Sequence, residues 1–235
     1  SGSNYLYVSS YTGKVYKIDM TTRTIAGESA VVGANLEGIA VAGNKLYVCN
    51  SCSSDYTTYY KNVVELNAST LAKNQDIEVV DDPVDVINAG SAIFILSMGI
   101  YADKDKPATV QILKDGQLST IGNATIMAYD AYNDQLYMIN APFGGDKEYK
   151  VYNLKNGQTT TFLTNPDIFS PYSLAVNPVN GDVFITSSTK NPDTGYADYT
   201  ADCKLYRYTS AGILLGTYDC GVNPGTIVCD SYYQK

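Results

Sequence analysis

Carboxylates, thiols and phenol rings are the side chains with which this 235-residue sequence could do chemistry, and each kind falls in a recognisable pattern. Glu37 and Asp85 head two short apolar segments, Glu37-Gly-Ile-Ala-Val41 and Val84-Asp-Val-Ile87, with Asp81 and Asp82 just before the second. Two carboxyl groups, one protonated as general acid and one ionised as base or nucleophile, are the minimum set for hydrolysing a glycosidic bond. Superposing the apolar segments puts Gly38, Asp85, Ile126, Ser173 and Thr226 in one column and Glu37, Val84, Thr125, Tyr172 and Gly225 in the next. The two acids fall in different columns, so the set is incomplete and no catalytic residue is assigned. With no histidine in the chain there is no imidazole proton shuttle and no imidazole metal ligand. Asp193, Asp198 and Asp202, with Gly195 in the same stretch, could collect oxygens around Ca²⁺, but the spacing is not that of an EF-hand. Solvated loop carboxylates are the plainer reading, as they are for the alternating charges of Asp103-Lys-Asp-Lys106, and no metal site is assigned.

Five cysteines are an odd number, so at least one thiol stays free or pairs outside the chain. Cys49-Asn-Ser-Cys52 has redox-motif spacing, yet it follows an apparent strand, Leu46-Tyr-Val-Cys49, and does not open a helix. A zinc site would need further ligands from distant cysteines or carboxylates, which leaves a structural pair or buried thiols as the expectation. Cys203 and Cys220 flank a hairpin that turns at Ser210-Ala-Gly212. A disulfide between them depends on register, because a slip of one residue would send the two side chains to opposite faces. The pairing among Cys49, Cys52, Cys203, Cys220 and Cys229 stays open at this level.

Tyrosine occurs 22 times and tryptophan never. A phenol ring stacks on sugar or peptide surfaces while its hydroxyl hydrogen-bonds, which suits recognition. Tyr56, Tyr59, Tyr60, Tyr101, Phe143, Tyr149, Tyr196 and Tyr199 lie in four long polar stretches at 50–62, 98–109, 140–150 and 188–204, and Tyr172 begins an apolar segment beside them. These nine are the candidate ligand-binding residues. The competing reading is that the rings pack down over neighbouring elements.

The elements that would position them repeat in a fixed order. An aliphatic residue, Tyr or Phe, and a second aliphatic residue recur as Leu6-Tyr-Val8, Leu46-Tyr-Val48, Ile93-Phe-Ile95, Leu136-Tyr-Met138 and Val183-Phe-Ile185, 40 to 47 residues apart. Each is followed by a third strand such as Val15-Tyr-Lys-Ile18 or Leu205-Tyr-Arg-Tyr208, a polar turn such as Lys114-Asp-Gly116, and a fourth strand. First strands precede four of the five, while the fifth, Gly225-Thr-Ile-Val-Cys229, comes last in the chain. Five copies of four strands, permuted by one, predict an all-β, five-bladed β-propeller of four-stranded antiparallel blades. Its ring is expected to close by pairing of the C-terminal strand, 222–229, with the N-terminal strand, 5–9. The repeats are then 4–35 plus 222–229, 36–80, 81–122, 123–165 and 166–221, in a single domain over 1–235. No segment carries the 3.6-residue apolar period with caps, so helices are not expected.

Leu46-Tyr-Val48, Val15-Tyr-Lys-Ile-Asp19 and Pro171-Tyr-Ser-Leu-Ala-Val-Asn-Pro-Val-Asn-Gly-Asp182 resemble the YVTN-type repeat of surface-layer-like β-propellers. The tail from Lys204-Leu-Tyr-Arg-Tyr208 to Cys220-Gly-Val-Asn-Pro-Gly-Thr226 is similar to the closing segment of propellers in uncharacterised Bacteroidetes-type surface proteins and lipoproteins. The resemblance covers nearly the whole chain and implies a secreted or surface-anchored bacterial protein, though its motifs mark fold and not chemistry. A net charge of −8 with scattered basic residues argues against nucleic acid, and no apolar run reaches the length of a membrane span. No basic, apolar leader opens the chain, so a secretion signal is expected to have been removed already. The expected function is non-enzymatic binding or adhesion by a monomer, with a glycan, peptide or cell-surface protein as partner and no cofactor. A glycan hydrolase using Glu37 and Asp85 and a purely architectural module are the alternatives.

Overall fold

The computed structural model describes residues 4–101 and 103–229, and these fall into two compact units divided between Asn123 and Ala124. The division lies beside the border read between the third and fourth repeats. In the first unit, β1 (Tyr5–Ser9), β2 (Val15–Asp19) and β3 (Thr24–Glu28) form a three-stranded sheet. β4 (Leu36–Ala42), β5 (Lys45–Cys52), β6 (Tyr59–Asn67) and β7 (Lys73–Glu78) form the second sheet, and β8 (Pro83–Asn88), β9 (Ile93–Ser97), β10 (Thr109–Lys114) and β11 (Gln117–Gly122) the third. In the second unit, β12 (Ile126–Asp130), β13 (Gln135–Asn140), β14 (Glu148–Asn153) and β15 (Gln158–Leu163) form the fourth sheet. The fifth contains β16 (Ser170–Val176), β17 (Val183–Lys190), β18 (Ala197–Asp198), β19 (Cys203–Tyr208) and β20 (Leu214–Cys220), with the short β18 pairing only the end of β17. Every pairing is antiparallel between strands close in sequence, and the described residues contain no helix.

The apolar runs exist because inner strands are buried on both faces. Along β5, Leu46 and Val48 pack with Val15, Leu36, Val64 and Leu66, whereas Tyr47 and Cys49 pack with Val63, Val86, Ile93 and Ile95. Alternate side chains of one strand thus enter two different cores, one toward the first sheet and one toward the third. In the second unit, Tyr137, Ile139 and Tyr149 of the fourth sheet meet Val183, Ile185 and Tyr208 of the fifth in the same way.

Turns repeat as strictly as strands. An Asp or Asn at a strand end accepts the amides two and three residues on: Asp19 from Thr21 and Thr22, Asn67 from Ser69 and Thr70, Asn153 from Lys155 and Asn156. Its own carbonyl takes the amide four residues on, from Arg23, Leu71 and Gly157 respectively. That fourth residue sits at positive φ, 57° for Arg23, 61° for Leu71 and 72° for Gly157. Glycine reaches this conformation without steric cost, but the side-chain acceptor holds the turn well enough that Arg and Leu adopt it too.

The structure departs from expectation at the C-terminus. Residues 222–229 form no strand, so the closing pair with residues 5–9 is not among the described ladders, and the first sheet has three strands with β1 at its edge. The local chemistry explains this. Asn223 has φ 50°, Pro224 carries no amide proton for a ladder, and the Pro224 carbonyl instead accepts the hydroxyls of Ser173 and Thr186, each at 3.0 Å. The long loops are also shorter than expected, because β5 runs on to Cys52 opposite Tyr59 and β17 to Lys190 opposite Ala197.

Candidate functional site

In the first unit the heads of β4 and β8 approach each other as only a glycine permits. A Cβ on Gly38 would lie 2.7 Å from the Asp85 Cα and 2.9 Å from the Val84 carbonyl oxygen. Four acids gather around this crossing. Tyr11 donates its hydroxyl to Glu37 Oε1, and Ser9 Oγ donates to the Glu37 carbonyl at 2.5 Å. Ser51 Oγ donates to Asp82 Oδ1 at 2.5 Å, the Val86 amide to Asp85 Oδ1 at 2.8 Å, and Lys61 lies 3.6 Å from Asp81 Oδ1.

Burial and these contacts shift the proton affinity of two of the carboxyls, Asp82 and Asp85. Burial raises Asp82 above the usual carboxylate range; the Ser51 hydroxyl pulls it back, and the charges of Glu37 and Asp81 push it up again. Burial also raises Asp85, against the lowering effect of the Val86 amide. Tyr11 is pushed up to about 12, first by its hydrogen bond to Glu37. The Cys49 thiol, fully buried in the core, is held well above its ordinary value by that burial and then by the charges of Asp85, Glu37 and Asp82. The carboxyl that feels Glu37 is Asp82, reached from the turn before β8, whereas the sequence pairing singled out Asp85 within the strand. A carboxyl that holds its proton more tightly, in the field of a second one, is an arrangement suited to proton transfer.

The shift at Asp85 has a direct consequence for stability. A folded-state value above the ordinary 3.8 means that the ionised form weakens the fold at neutral pH, and that this penalty fades as pH falls through the raised value. Asp85→Asn keeps an acceptor for the Val86 amide and removes the charge, so the variant should be more stable at pH 7 by on the order of 1 kcal/mol. Urea denaturation should show the gain vanishing below about pH 4. An equal gain at pH 3 and pH 7 would mean that charge is not its cause.

The candidate aromatic residues separate into three groups. Tyr56 and Tyr101 are exposed, and Tyr59 and Tyr60 are half-buried at the start of β6, where the Tyr60 carbonyl accepts the Asp82 amide. In the second unit, Phe143 and Tyr196 are 81% and 65% exposed and stack on one another, with ring centroids 6.2 Å apart and planes 18° from parallel. Each ring rides on a closed turn. The Gly145 amide returns to the Pro142 carbonyl beneath Phe143, and the Asn191 amide to the Tyr196 carbonyl. Tyr199 and Tyr172 are exposed nearby in the chain; the Tyr199 carbonyl accepts Asn223 Nδ2, and Tyr172 lies against Gly225. Tyr149 belongs to neither set. Because β14 begins at Glu148, Tyr149 is a ladder residue opposite Ile139, 3% exposed and packed in the core with Leu163 and Ile185.

The described residues bring together no group of three or more His, Cys, Asp or Glu in a metal-binding arrangement. Asp198, one of the calcium candidates, has its acceptors occupied by the amides of Thr200 and Ala201, the Thr200 hydroxyl and Asn191 Nδ2. Cys49 and Cys52 face different surroundings, the first among Tyr47, Val63 and Ile95 and the second beside Asn35 Nδ2 at 3.4 Å, and both are free thiols.

Two solved structures share this arrangement of sheets. U3-55K superposes with a TM-score of 0.64 at 11% sequence identity, over 94% of this chain and 65% of that one. A quinonprotein alcohol dehydrogenase-like protein from Bacteroides thetaiotaomicron superposes with a TM-score of 0.54 at 16% identity, over 94% and 64%. The chain has a β-propeller-like fold. At these identities the likeness concerns fold alone, and this propeller-like chain spans just under two thirds of the length of either neighbour. No family model and no curated protein matches it. Tyr11 went unnoticed in the sequence because its stretch, 9–14, is the shortest of the five. The signal available was its place between the second and third strands, the same place held by the other candidate tyrosines.

Proposed function

We propose that this chain is a non-enzymatic, extracytoplasmic binding module that recognises a glycan through the aromatic pair Phe143 and Tyr196. The observation that carries the reading is the stacking of two strongly exposed rings on adjacent, hydrogen-bonded turns. Exposed rings gain little from water, and Phe143 has no hydroxyl to solvate, so the pair is better accounted for by a ligand than by the fold. Nearly parallel rings that stay strongly exposed offer an apolar ring face that suits the C–H face of a pyranose. The resemblance to YVTN-type surface propellers and the abundance of tyrosine support a secreted or surface-anchored monomer. Each sheet is read as one blade of a five-bladed propeller.

Isothermal titration against a panel of bacterial and host oligosaccharides tests the proposal. Phe143→Ala and Tyr196→Ala should each weaken the best binder at least about tenfold, which is roughly 1.4 kcal/mol. Unchanged affinity in both variants removes this platform, and binding to peptides but not to sugars reassigns the ligand. A hydrolytic reading rests on Glu37 and Asp82, and the same samples decide it. Cleavage products that disappear in Glu37→Gln would make the chain an enzyme.

A further inference from the structure

The ladder between β19 and β20 sets two cysteines on one rung. Cys203 and Cys220 are opposed, and the next rungs are Lys204 with Asp219 and Leu205 with Tyr218. Lys204 Nζ and Asp219 Oδ1 form an ion pair, which holds the register beside the thiols. The one-residue slip that would send the two sulfurs to opposite faces is therefore absent, since opposed residues of an antiparallel pair share a face. Opposed Cα atoms in such a ladder are about 4.5 or 5.5 Å apart depending on the type of rung, and both spacings fit a disulfide, which spans about 4.4–6.8 Å. Among the described residues no other two cysteines are ladder partners. Cys49 and Cys52 lie on the same strand in separate surroundings, and Cys229 follows a segment with no strand.

We propose that Cys203 and Cys220 form a cross-strand disulfide by exchange with a small-molecule disulfide, clamping the outermost strand of the fifth sheet to its neighbour. The order of steps follows from burial. Cys203 is fully buried, whereas Cys220 is only partly covered, so Cys220 meets the reagent. Its thiolate attacks one sulfur of the small disulfide and expels the other half as a thiolate, leaving a mixed disulfide on Cys220. The Cys203 thiolate then attacks the Cys220 sulfur, forming the internal bond and releasing the second half. Two electrons pass from the protein pair to the reagent, and the two protons from the cysteine thiols end on the two released small thiols. The clamp matters because β20 has a ladder on one side only and five of its seven residues, all but Gly216 and Cys220, are exposed and carry little burial of their own: Leu214, Leu215 and Tyr218 are 51%, 49% and 48% exposed. Beyond Cys220 the chain leaves the sheet, so the bond ties down the end of β20 where fraying would begin.

The test uses the Cys229→Ser protein, so that the C-terminal peptide carries a single thiol, equilibrated with oxidised and reduced glutathione, alkylated and digested. The expected result is a peptide pair joined through Cys203 and Cys220, lighter by two hydrogens, with two alkylated cysteines left, Cys49 and Cys52. Thermal unfolding of the same sample should shift down on addition of a thiol reductant, and this shift should be absent in Cys220→Ser. Alkylation of both Cys203 and Cys220 after oxidising equilibration overturns the proposal, as does a link from either to Cys49 or Cys52. A melting point indifferent to reductant, with the linked peptide present, overturns the clamping role.

Discussion

Gly38→Ala should destabilise the first unit by about 3 kcal/mol, although it adds one methyl group to a strand position with ordinary backbone angles. The new Cβ would meet backbone on three sides, the Asp85 Cα at 2.7 Å, the Val84 carbonyl at 2.9 Å and the Val86 amide at 3.0 Å. Backbone cannot rotate away as a long side chain can, so β8 must shift as a whole. That movement would disturb the contacts of Val86 with Cys49 and Ile95 in the core behind it. Gly27→Ala is the control. It lies in β3 of the same unit, and its added methyl would touch only Leu71 Cδ1, at 3.8 Å, so its effect should stay within about 0.5 kcal/mol. Urea denaturation of both variants measures the difference. A Gly38→Ala protein as stable as Gly27→Ala would show that β4 and β8 do not approach this closely. The same crossing carries Glu37 and Asp85, so a shift of β8 should also abolish the raised proton affinity of Asp85.

How much of this was open to inspection beforehand depended on whether a signal was local. The second-strand motif, as in Leu46-Tyr-Val48, located β5, β9, β13 and β17, because two-sided burial writes itself into consecutive apolar residues, whereas its copy Leu6-Tyr-Val8 falls on the edge strand β1, where Leu6 is half exposed. Hairpin turns were legible where glycine marks them, as at Gly157, and illegible where Arg23 or Leu71 takes the same left-handed position under the control of an Asp or Asn four residues earlier. Tyr149 was misplaced for a similar reason. Its ladder begins three residues before the apolar Val151, so the alternation Glu148-Tyr-Lys-Val-Tyr152 was a strand read as loop. Residues 222–229 have the composition of a first strand, but Asn223 and Pro224 carry the decisive local constraints and outweigh it. The candidate sites were half-visible. Glu37 and Asp82 could be named as acids near strand heads, yet the effect of Glu37 on Asp82 depends on a turn between sheets. The stacking of Phe143 on Tyr196 joins loops 53 residues apart in sequence, a contact that no periodicity encodes.

The recurring turn makes a sharper prediction, because the same motif occurs at different depths. Asp130 accepts the amides of Tyr132 at 2.9 Å and Asn133 at 3.1 Å through Oδ1, and Asn133 Nδ2 at 2.7 Å through Oδ2. It is fully buried, and the turn of the neighbouring sheet rests on it: a Cβ at Gly181 would come within 3.2 Å of Asp130 Oδ2 and 2.5 Å of Asn133 Nδ2. Asp19 makes the equivalent bonds to Thr21 and Thr22 in a turn open to solvent. Removing the acceptor at Asp19 leaves two amides that water can reach, so Asp19→Ala should cost at most about 1 kcal/mol. Asp130→Ala strands two amides and a side-chain donor where water does not replace the lost oxygens, and should cost about 3 kcal/mol. Asp130→Asn should fall between them, since one acceptor survives while the new amide group opposes Asn133 Nδ2, donor against donor. Chemical denaturation of the three variants orders them. Equal losses for Asp19→Ala and Asp130→Ala would mean that the turn contributes the same at either depth, and that burial is not what makes the fourth sheet's turn costly to break.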